Sequence, residues 1–378
     1  MYDVIFCQPS EFKRTKNGTN PFFDPLLRIC EKRDLSYLVL DINGFLLTSS
    51  SPYITFFFRL LPVAVLLLQK IQTWLGIGKN IAERERLIGR LLRLVSFGQL
   101  YAPVYVTIAG AMDLVFCGMY KKSTVCDLQH GIIYPEHDGY FENKCLREHL
   151  NYPNIHFLVY GKGYKKFFKT GVDDNVVKRV HVIGDVMRVD QKQHFLGPTK
   201  NIVFCSLQMT PDSSVFELEE MKKVWENFLL ECERLDVCGR YRVVFKHHPR
   251  FRNCMNLSDI GSRFPFVEWC NDMDSVSANM FLHVTIMSTV AFDVAVLGVP
   301  TCFLSGMCCM NGSKLFRDEF NYPFKRSFKE WIDRYQIDHV GYMEDGRLVK
   351  EWFYQYYEIM DNERAFQCLK GNFDFEKI

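Results

Sequence analysis

Three clusters of titratable or hydroxyl side chains stand where strand-like segments of the chain end. The first is Gln129-His130-Gly131, directly after an apolar run. A neutral imidazole suits general-base catalysis near pH 7, and the glycine would let the backbone turn sharply and a ligand approach. The same loop adds three titratable residues, Glu136, His137 and Asp138. We predict His130 as a catalytic base within this cluster; the alternative is a histidine with a purely structural hydrogen bond.

The second cluster, Lys246-His247-His248-Pro249-Arg250, follows the strand-like segment 241–245. Cationic and ionisable groups at a strand end form an anion site, for which phosphate is the natural ligand, and the proline disfavours helix at the residue before it. The pattern therefore predicts phosphate binding by Lys246, His248 and Pro249. A solvated basic turn is the alternative.

The third cluster, Ser288-Thr289, lies between the strand-like segment 281–287 and a helix-like segment. Hydroxyl and backbone N–H groups at the start of a helix can bind phosphate, and the helix dipole favours the negative charge. Asp293, one turn further on, could accept hydrogen bonds from ribose hydroxyl groups. The alternatives are ordinary helix capping by the hydroxyl residues and a first-turn acid that the dipole stabilises.

Two common nucleotide fingerprints are absent from the sequence. It contains no G-x-G-x-x-G and no G-x-x-x-x-G-K-[ST]. A dinucleotide-dependent oxidoreductase and a P-loop nucleotidase therefore lack the residues expected of them. Cys302, Cys308 and Cys309 have no matching His or Cys pair at zinc-ligand spacing, so we expect no structural metal.

The composition is that of a globular protein in a reducing compartment. Of 378 residues, 48% are hydrophobic and 24% charged, which excludes a disordered chain. The net charge of +2 gives no reason to expect a nucleic-acid partner. The 14 cysteines lie mostly within apolar runs and the N-terminus lacks a signal-peptide pattern. We therefore expect reduced thiols and a cytoplasmic location.

Apolar, β-branched runs alternate with segments of helical period, which is typical of parallel sheets with crossover helices. We predict helices at 22–32, 215–235, 290–297 and 327–335, the last capped by Ser327. Strands are predicted at 2–8, 35–41, 113–118, 124–129, 156–161, 180–184, 201–206, 241–247, 264–268, 281–287 and 299–304. This pattern indicates an α/β protein with two doubly wound, Rossmann-like domains facing a cleft.

Three divisions of the chain follow from this reading. We expect a first domain over residues 1–175, a second over 176–350, and a terminal helix in 351–378 that packs back across the hinge. Within the first domain, residues 54–95 combine a hydrophobic stretch, which Arg59 and Pro62 interrupt, with a cationic helix. Such a segment suits an anionic membrane surface; the alternative is a buried helix pair.

The order of four motifs resembles that of GT-B-fold glycosyltransferases. The motifs are Q-H-G at 129–131, V-I-G-D-x-x-R-V-D at 182–190, K-H-H-P at 246–249 and S-T-x-x-x-D…G-x-P at 288–300. The sequence is similar to bacterial surface-polysaccharide enzymes, namely capsule Kdo transferases, sialyltransferases and teichoic-acid glycerophosphotransferases. The resemblance implies that His248, Ser288 and Thr289 hold the donor phosphate and that His130 deprotonates the acceptor. Arg188, Lys246, Pro249 and Asp293 complete the implied donor site.

The resemblance implies transfer of a sugar from a nucleotide-activated donor to a glycan or glycolipid acceptor. A CMP-linked donor is favoured, with UDP or GDP as alternatives, and no cofactor or essential metal is expected because cationic side chains can offset the charge of the departing phosphate. The first domain would then lie on the acceptor side and the second would bind the nucleotide sugar. Three other functions stay open: a non-hydrolysing sugar-nucleotide epimerase, a glycerophosphotransferase and a membrane-associated scaffold without activity.

Overall fold

The computed structural model describes residues 2–8, 20–41, 67, 70–71, 74, 81–108, 110, 112–169, 175–188, 200–207, 215–248, 258–305 and 314–374. The chain divides into two compact units, the first comprising Met1–Gln191 with Tyr356–Ile378, and the second comprising Lys192–Gln355. The first unit extends beyond residue 175, the expected end of the first domain, because strand Val180–Val182 pairs with its sheet.

The first unit is built on a six-stranded parallel sheet. Its strands are β1 (Val4–Gln8), β2 (Tyr37–Asp41), β3 (Val104–Ile108), β4 (Thr124–Leu128), β7 (Ile155–Val159) and β8 (Val180–Val182). They lie in the order β2-β1-β3-β4-β7-β8, and a separate antiparallel ribbon pairs β5 (Phe141–Glu142) with β6 (Cys145–Leu146). Every residue of β3 is buried, as expected of a parallel strand covered on both faces.

The helices described in the first unit before its terminal segment are α1 (Asp24–Lys32), α2 (Ile81–Val95), α3 (Asp113–Met119) and the single turn α4 (Lys162–Lys165). The prediction of a strand at 113–118 was wrong, and β3 was missed. Because almost every side chain of α3 is buried, its sequence lacks the alternation of polar and apolar residues that marks a surface helix. A Cβ atom at Gly118 would lie 2.2 Å from the Arg86 carbonyl oxygen, so glycine allows α3 to pack closely on α2.

The second unit contains a five-stranded parallel sheet in the order β11-β10-β9-β12-β13. These strands are β9 (Ile202–Ser206), β10 (Arg242–Lys246), β11 (Val267–Cys270), β12 (Met280–Thr285) and β13 (Thr301–Phe303). Alternate residues of β9 pack into two different clusters: Val203 lies in one with Trp225, and Phe204 lies in the other with Val294. The sheet is therefore covered on both faces, which confirms the predicted α/β class.

The second unit carries six of the described helices. They are α5 (Val215–Arg234), α6 (Ser258–Arg263), α7 (Asp274–Ser277), α8 (Val290–Ala295), α9 (Phe328–Ile337) and α10 (His339–Tyr356). As predicted, Ser327 caps α9: its hydroxyl accepts a hydrogen bond from the Glu330 N–H (3.3 Å), and Glu330 Oε2 accepts one from the Ser327 N–H (2.7 Å).

The end of the chain forms two helices rather than the one expected over 351–378. After α10 the chain continues through residues 357–361 into α11 (Asn362–Leu369), which belongs to the first unit. The Asp361 N–H donates to the Ile183 carbonyl oxygen (2.8 Å). Gly184 has φ +85°, and a Cβ atom there would lie 2.3 Å from the Ile359 carbonyl oxygen. The glycine of the 182–190 motif thus serves the contact between β8 and this terminal segment.

The segment 54–95 is described in part. Leu67, Lys70, Ile71 and Trp74 are helical, and α2 begins at Ile81; the other residues from 54 to 80 lie outside the described part of the chain. Among the helices that the structure does describe, none is long and apolar enough to cross a bilayer.

Candidate functional site

Both sheets have a point where the strand order reverses, and ligands of open parallel sheets bind at the carboxyl ends of the strands there. In the first sheet this switch point lies between β1 and β3, and in the second it lies between β9 and β12. The candidates for function are therefore the residues that follow the strands at each switch point and the strands next to them, β4 and β10.

His130 lies two residues beyond β4, one strand away from the first switch point, and is half-buried. The buried side chain of Gln129 positions this loop: its Nε2 donates to the Gly131 carbonyl oxygen (2.6 Å), and its Oε1 accepts from the Tyr160 N–H (2.8 Å). A Cβ atom at Gly131 would meet nothing within 4 Å, and its φ is not in the left-handed region. The structure thus leaves open space beside His130, but it does not require glycine for the turn.

The other three residues of this cluster differ in their surroundings. Glu136 and Asp138 are exposed. His137 is half-buried between the rings of Tyr134 and Tyr140, and its Nδ1 accepts a hydrogen bond from the Gly139 N–H (3.0 Å). Burial lowers the pKa of His137. These contacts give His137 a role in fixing the turn, and the structure brings neither carboxylate into the interior with it.

A group of buried carboxyls beneath this loop was missed by the sequence reasoning. Asp127 lies within β4 and pairs in register with Thr107 of β3; its Oδ1 accepts a hydrogen bond from the Gly110 N–H (3.2 Å). Burial raises the pKa of Asp127 to about 6. Burial, and then the charge of Asp127, raise the pKa of Asp113 at the start of α3 well above its usual range.

Two further groups belong to this buried set. Burial raises the pKa of Glu85 on α2, and its charge also raises the pKa of Asp113. Burial raises the pKa of Tyr140 well above its usual range, and the neighbouring Asp127 raises it further. Carboxyls with raised pKa values can hold a proton near neutral pH, which is what acid-base chemistry requires. In the sequence, the feature that could have identified this group was Asp127, an aspartate within the largely apolar strand β4.

In the second unit, the described residues of the predicted phosphate site lie at the carboxyl ends of the strands or in the helix that follows. Lys246 ends β10, and the half-buried His248 lies two residues further on. Ser288 is buried and Thr289 is exposed, both directly before α8. The half-buried Asp293 lies within α8. Pro249 lies outside the described residues.

The two predicted phosphate segments do not follow neighbouring strands of the sheet. Strand β9 lies between β10 and β12, so the two strand ends are about 10 Å apart at the usual strand spacing. Because all three strands are parallel, the segments still share the carboxyl edge. Ser288 lies at the switch point itself, and its Oγ accepts from the Val290 N–H (3.3 Å). His248 lies one strand further out.

Two other polar features lie apart from these edges. Arg188, expected in the donor site, belongs to the first unit, where its Nε lies 3.0 Å from Asp185 Oδ2. In the second unit, His283 links Ser206 Oγ (2.7 Å) and Thr301 Oγ1 (3.0 Å) across three strands. Burial lowers the pKa of His283 to about 3, so this chain of hydrogen bonds is neutral and ties the sheet together.

Within the described residues, no group of three or more His, Cys, Asp or Glu side chains could hold a metal ion.

Comparison with known proteins identifies the fold. No protein-family model and no curated protein sequence matches the chain. The chain is similar to Staphylococcus aureus MnaA in a co-structure with UDP, at 10% identity, 98% coverage of this chain, 95% of that chain and a TM-score of 0.52. It is also similar to the glycosyltransferase of kitacinnamycin, at 10% identity, 98% coverage of both chains and a TM-score of 0.53. A UDP-N-acetylglucosamine 2-epimerase matches at 12% identity and a TM-score of 0.49, with 96% and 93% coverage. The chain has the GT-B fold of two Rossmann-like domains, which confirms the predicted fold.

Proposed function

We propose that this chain is a GT-B glycosyltransferase that moves a sugar from a nucleotide-activated donor to a glycan or glycolipid acceptor. The observation that carries the proposal is the switch point of the second sheet. Ser288 and Thr289 lie at this point, and Lys246 and His248 lie at the same edge, so hydroxyl and cationic groups are available to a nucleotide phosphate.

The spacing of these groups suits a ligand larger than a single phosphate. About 10 Å separates the ends of β10 and β12, which exceeds the reach of one phosphate group and is comparable to a diphosphate with its attached ribose. UDP is bound in the co-structure of the similar MnaA protein. Both points favour a nucleoside diphosphate over the CMP-linked donor that the motifs suggested.

In this proposal the first unit contributes the general base. His130 would take the proton of the acceptor hydroxyl as the sugar is transferred, and Gln129 would hold its loop in place. The positive charge of Lys246 and a hydrogen bond from the His248 imidazole would offset the charge that develops on the departing phosphate, without a divalent metal.

A membrane surface is the proposed location of the acceptor. Leu67, Ile71 and Trp74 have the i, i+4, i+7 spacing of one helical face, and 57%, 40% and 84% of their surfaces are exposed. Leu94 and Phe97, at the end of α2, are also exposed, at 70% and 85%. Exposed arginines, Arg90 and Arg93, accompany them on α2. Apolar side chains beside cationic ones suit an anionic lipid interface.

The proposal is tested by a thermal-shift panel of CMP, UDP and GDP with their sugars, followed by analysis of the reaction products. A ligand that binds the folded state raises the unfolding temperature, so we expect a shift with one nucleotide and no shift with its nucleoside. Incubation with the donor alone separates the alternatives. An isomerised donor would identify an epimerase, and a product that keeps a phosphate would identify a glycerophosphotransferase. Absence of any nucleotide-dependent shift would contradict the proposed activity.

A further inference from the structure

A cavity of 420 Å³ lies beside the edge strand β8 in the first unit. Its walls are formed by α4, the turn before β8, β8 itself, and α11 with the residues that follow it. This volume is typical of small-molecule sites, which measure about 300–1,000 Å³. Strand β7 lies between β8 and β4, and His130 follows β4, so the cavity is distinct from the proposed base site.

Four basic side chains from three separate segments line this cavity. Lys162 and Lys165 lie three residues apart on α4 and so project from the same side, Lys178 precedes β8, and Arg364 lies on α11. The only carboxylate among the lining residues that the structure describes is Asp374. Arg364 is paired with Asp361, whose Oδ2 lies 3.3 Å from its Nε. The three lysines still outnumber Asp374, so the lining has an excess of positive charge. Because like charges in one cavity repel, a multiply charged anion would be bound favourably.

The remaining wall is neutral and largely apolar. His181 Nε2 lies 2.8 Å from His156 Nδ1, and the Phe373 ring packs against both imidazoles at centroid distances of 4.7 and 4.1 Å. Burial lowers the pKa of His156 to about 4 and that of His181 to about 3, so the pair stays neutral at physiological pH. Val177, Val180 and Val182 complete this wall. One side of the cavity therefore suits a negative group and another suits carbon atoms.

We propose that this cavity is a second ligand site, which binds a small phosphomonoester with its phosphate among Lys162, Lys165, Lys178 and Arg364. A phosphate dianion has tetrahedral oxygens that can accept hydrogen bonds from donors on several segments, whereas a planar carboxylate is matched best by one arginine. The organic part of the ligand lies against Phe373 and the valines. The same group could come from a soluble phosphorylated metabolite or from the headgroup of phosphatidic acid.

Calorimetric titration of the full chain with glycerol 3-phosphate tests this site, with glycerol as the neutral control. The titration uses the His248→Ala variant, in which binding at the proposed phosphate site of the second unit is expected to be weakened. We expect saturable binding that Lys165→Ala and Lys178→Ala each weaken about tenfold, the usual size for one lost charged hydrogen bond. Asp374→Asn should strengthen binding, because it removes a negative charge from the lining.

Lys121→Ala is the matched control, since Lys121 is an exposed lysine of the same unit outside the cavity. It should leave the affinity unchanged, and circular dichroism verifies that each variant is folded. Vesicles of phosphatidylcholine with phosphatidic acid distinguish the two sources. Binding to these vesicles that depends on Lys165 and Lys178 would identify the lipid headgroup, whereas binding of the soluble probe alone would identify a free metabolite. The proposal is overturned if neither probe binds, or if the cavity variants behave like Lys121→Ala.

Discussion

Replacing Asp127 by asparagine should stabilise the protein above pH 6. Asp127 is buried within β4, and its Oδ1 accepts a hydrogen bond from the Gly110 N–H. Asparagine has almost the same size and keeps an oxygen for this bond, but it cannot ionise. The charge of Asp127 also raises the pKa values of Asp113, Cys126 and Tyr140. Removing one potential charge should therefore relieve repulsion as well as desolvation.

The size of the effect follows from the pKa. Burial raises the pKa of Asp127 to about 6, against 3.8 for a free aspartate. Each pKa unit corresponds to about 1.4 kcal/mol, so about 3 kcal/mol is lost when the carboxyl ionises in the folded state. The folded protein binds the proton more tightly than the unfolded chain does. The free energy of unfolding should therefore fall as pH rises from about 4 to about 6, and Asp127→Asn should remove that fall.

Urea unfolding, followed by circular dichroism from about pH 4 to about pH 8, measures this difference. We expect the variant to match the original protein at the acidic end and to gain up to about 3 kcal/mol at the alkaline end. Asp138→Asn is the matched control, because Asp138 is exposed in the same unit and should change little. A gain of equal size at every pH, or a loss of stability at pH 8, would refute the reasoning.

Three other outcomes are expected. His130→Ala should lower turnover by about 10²–10⁴ and leave nucleotide affinity unchanged, as steady-state kinetics and calorimetry can verify. His248→Ala and Ser288→Ala should each weaken nucleotide binding by about ten- to a hundredfold while sparing the nucleoside, and equal weakening of both ligands would argue against a phosphate contact. Trp74→Ser combined with Phe97→Ser should reduce sedimentation with anionic vesicles at an unchanged unfolding midpoint, since both side chains are more than four-fifths exposed; unfolding would show that they are part of the core.

Most strands of the second sheet could be predicted from the sequence. Strands β9, β10 and β12 were predicted within one or two residues, because each is a β-branched run that buries side chains on both faces. The first sheet was harder to predict, because α3 is also a run of apolar residues. A buried run of this kind has no hydrophobic periodicity that distinguishes a helix from a strand. The predicted domain limit at residue 175 lies before the observed one at Gln191. The strand β8 is too short to be assigned from its sequence, and its pairing with β7 places it and Arg188 in the first unit.

The candidate site shows where local reasoning ends. A histidine or serine at the end of a strand can be recognised from its neighbours in the chain, so the positions of His130, His248 and Ser288 just after strands were predicted correctly. Strand order is a long-range property, so the position of β9 between β10 and β12, on which the proposed nucleoside diphosphate rests, could not be predicted from the separate motifs. Asp127 was missed for a different reason, since its position within a strand was given no weight. Burying a carboxyl costs several kcal/mol unless its surroundings compensate, so an aspartate within the buried strand T-V-C-D-L needed an explanation. An aspartate in such a run therefore marks a position where the fold must compensate for a buried carboxyl, and here the compensation is a raised pKa and a hydrogen bond from the Gly110 N–H.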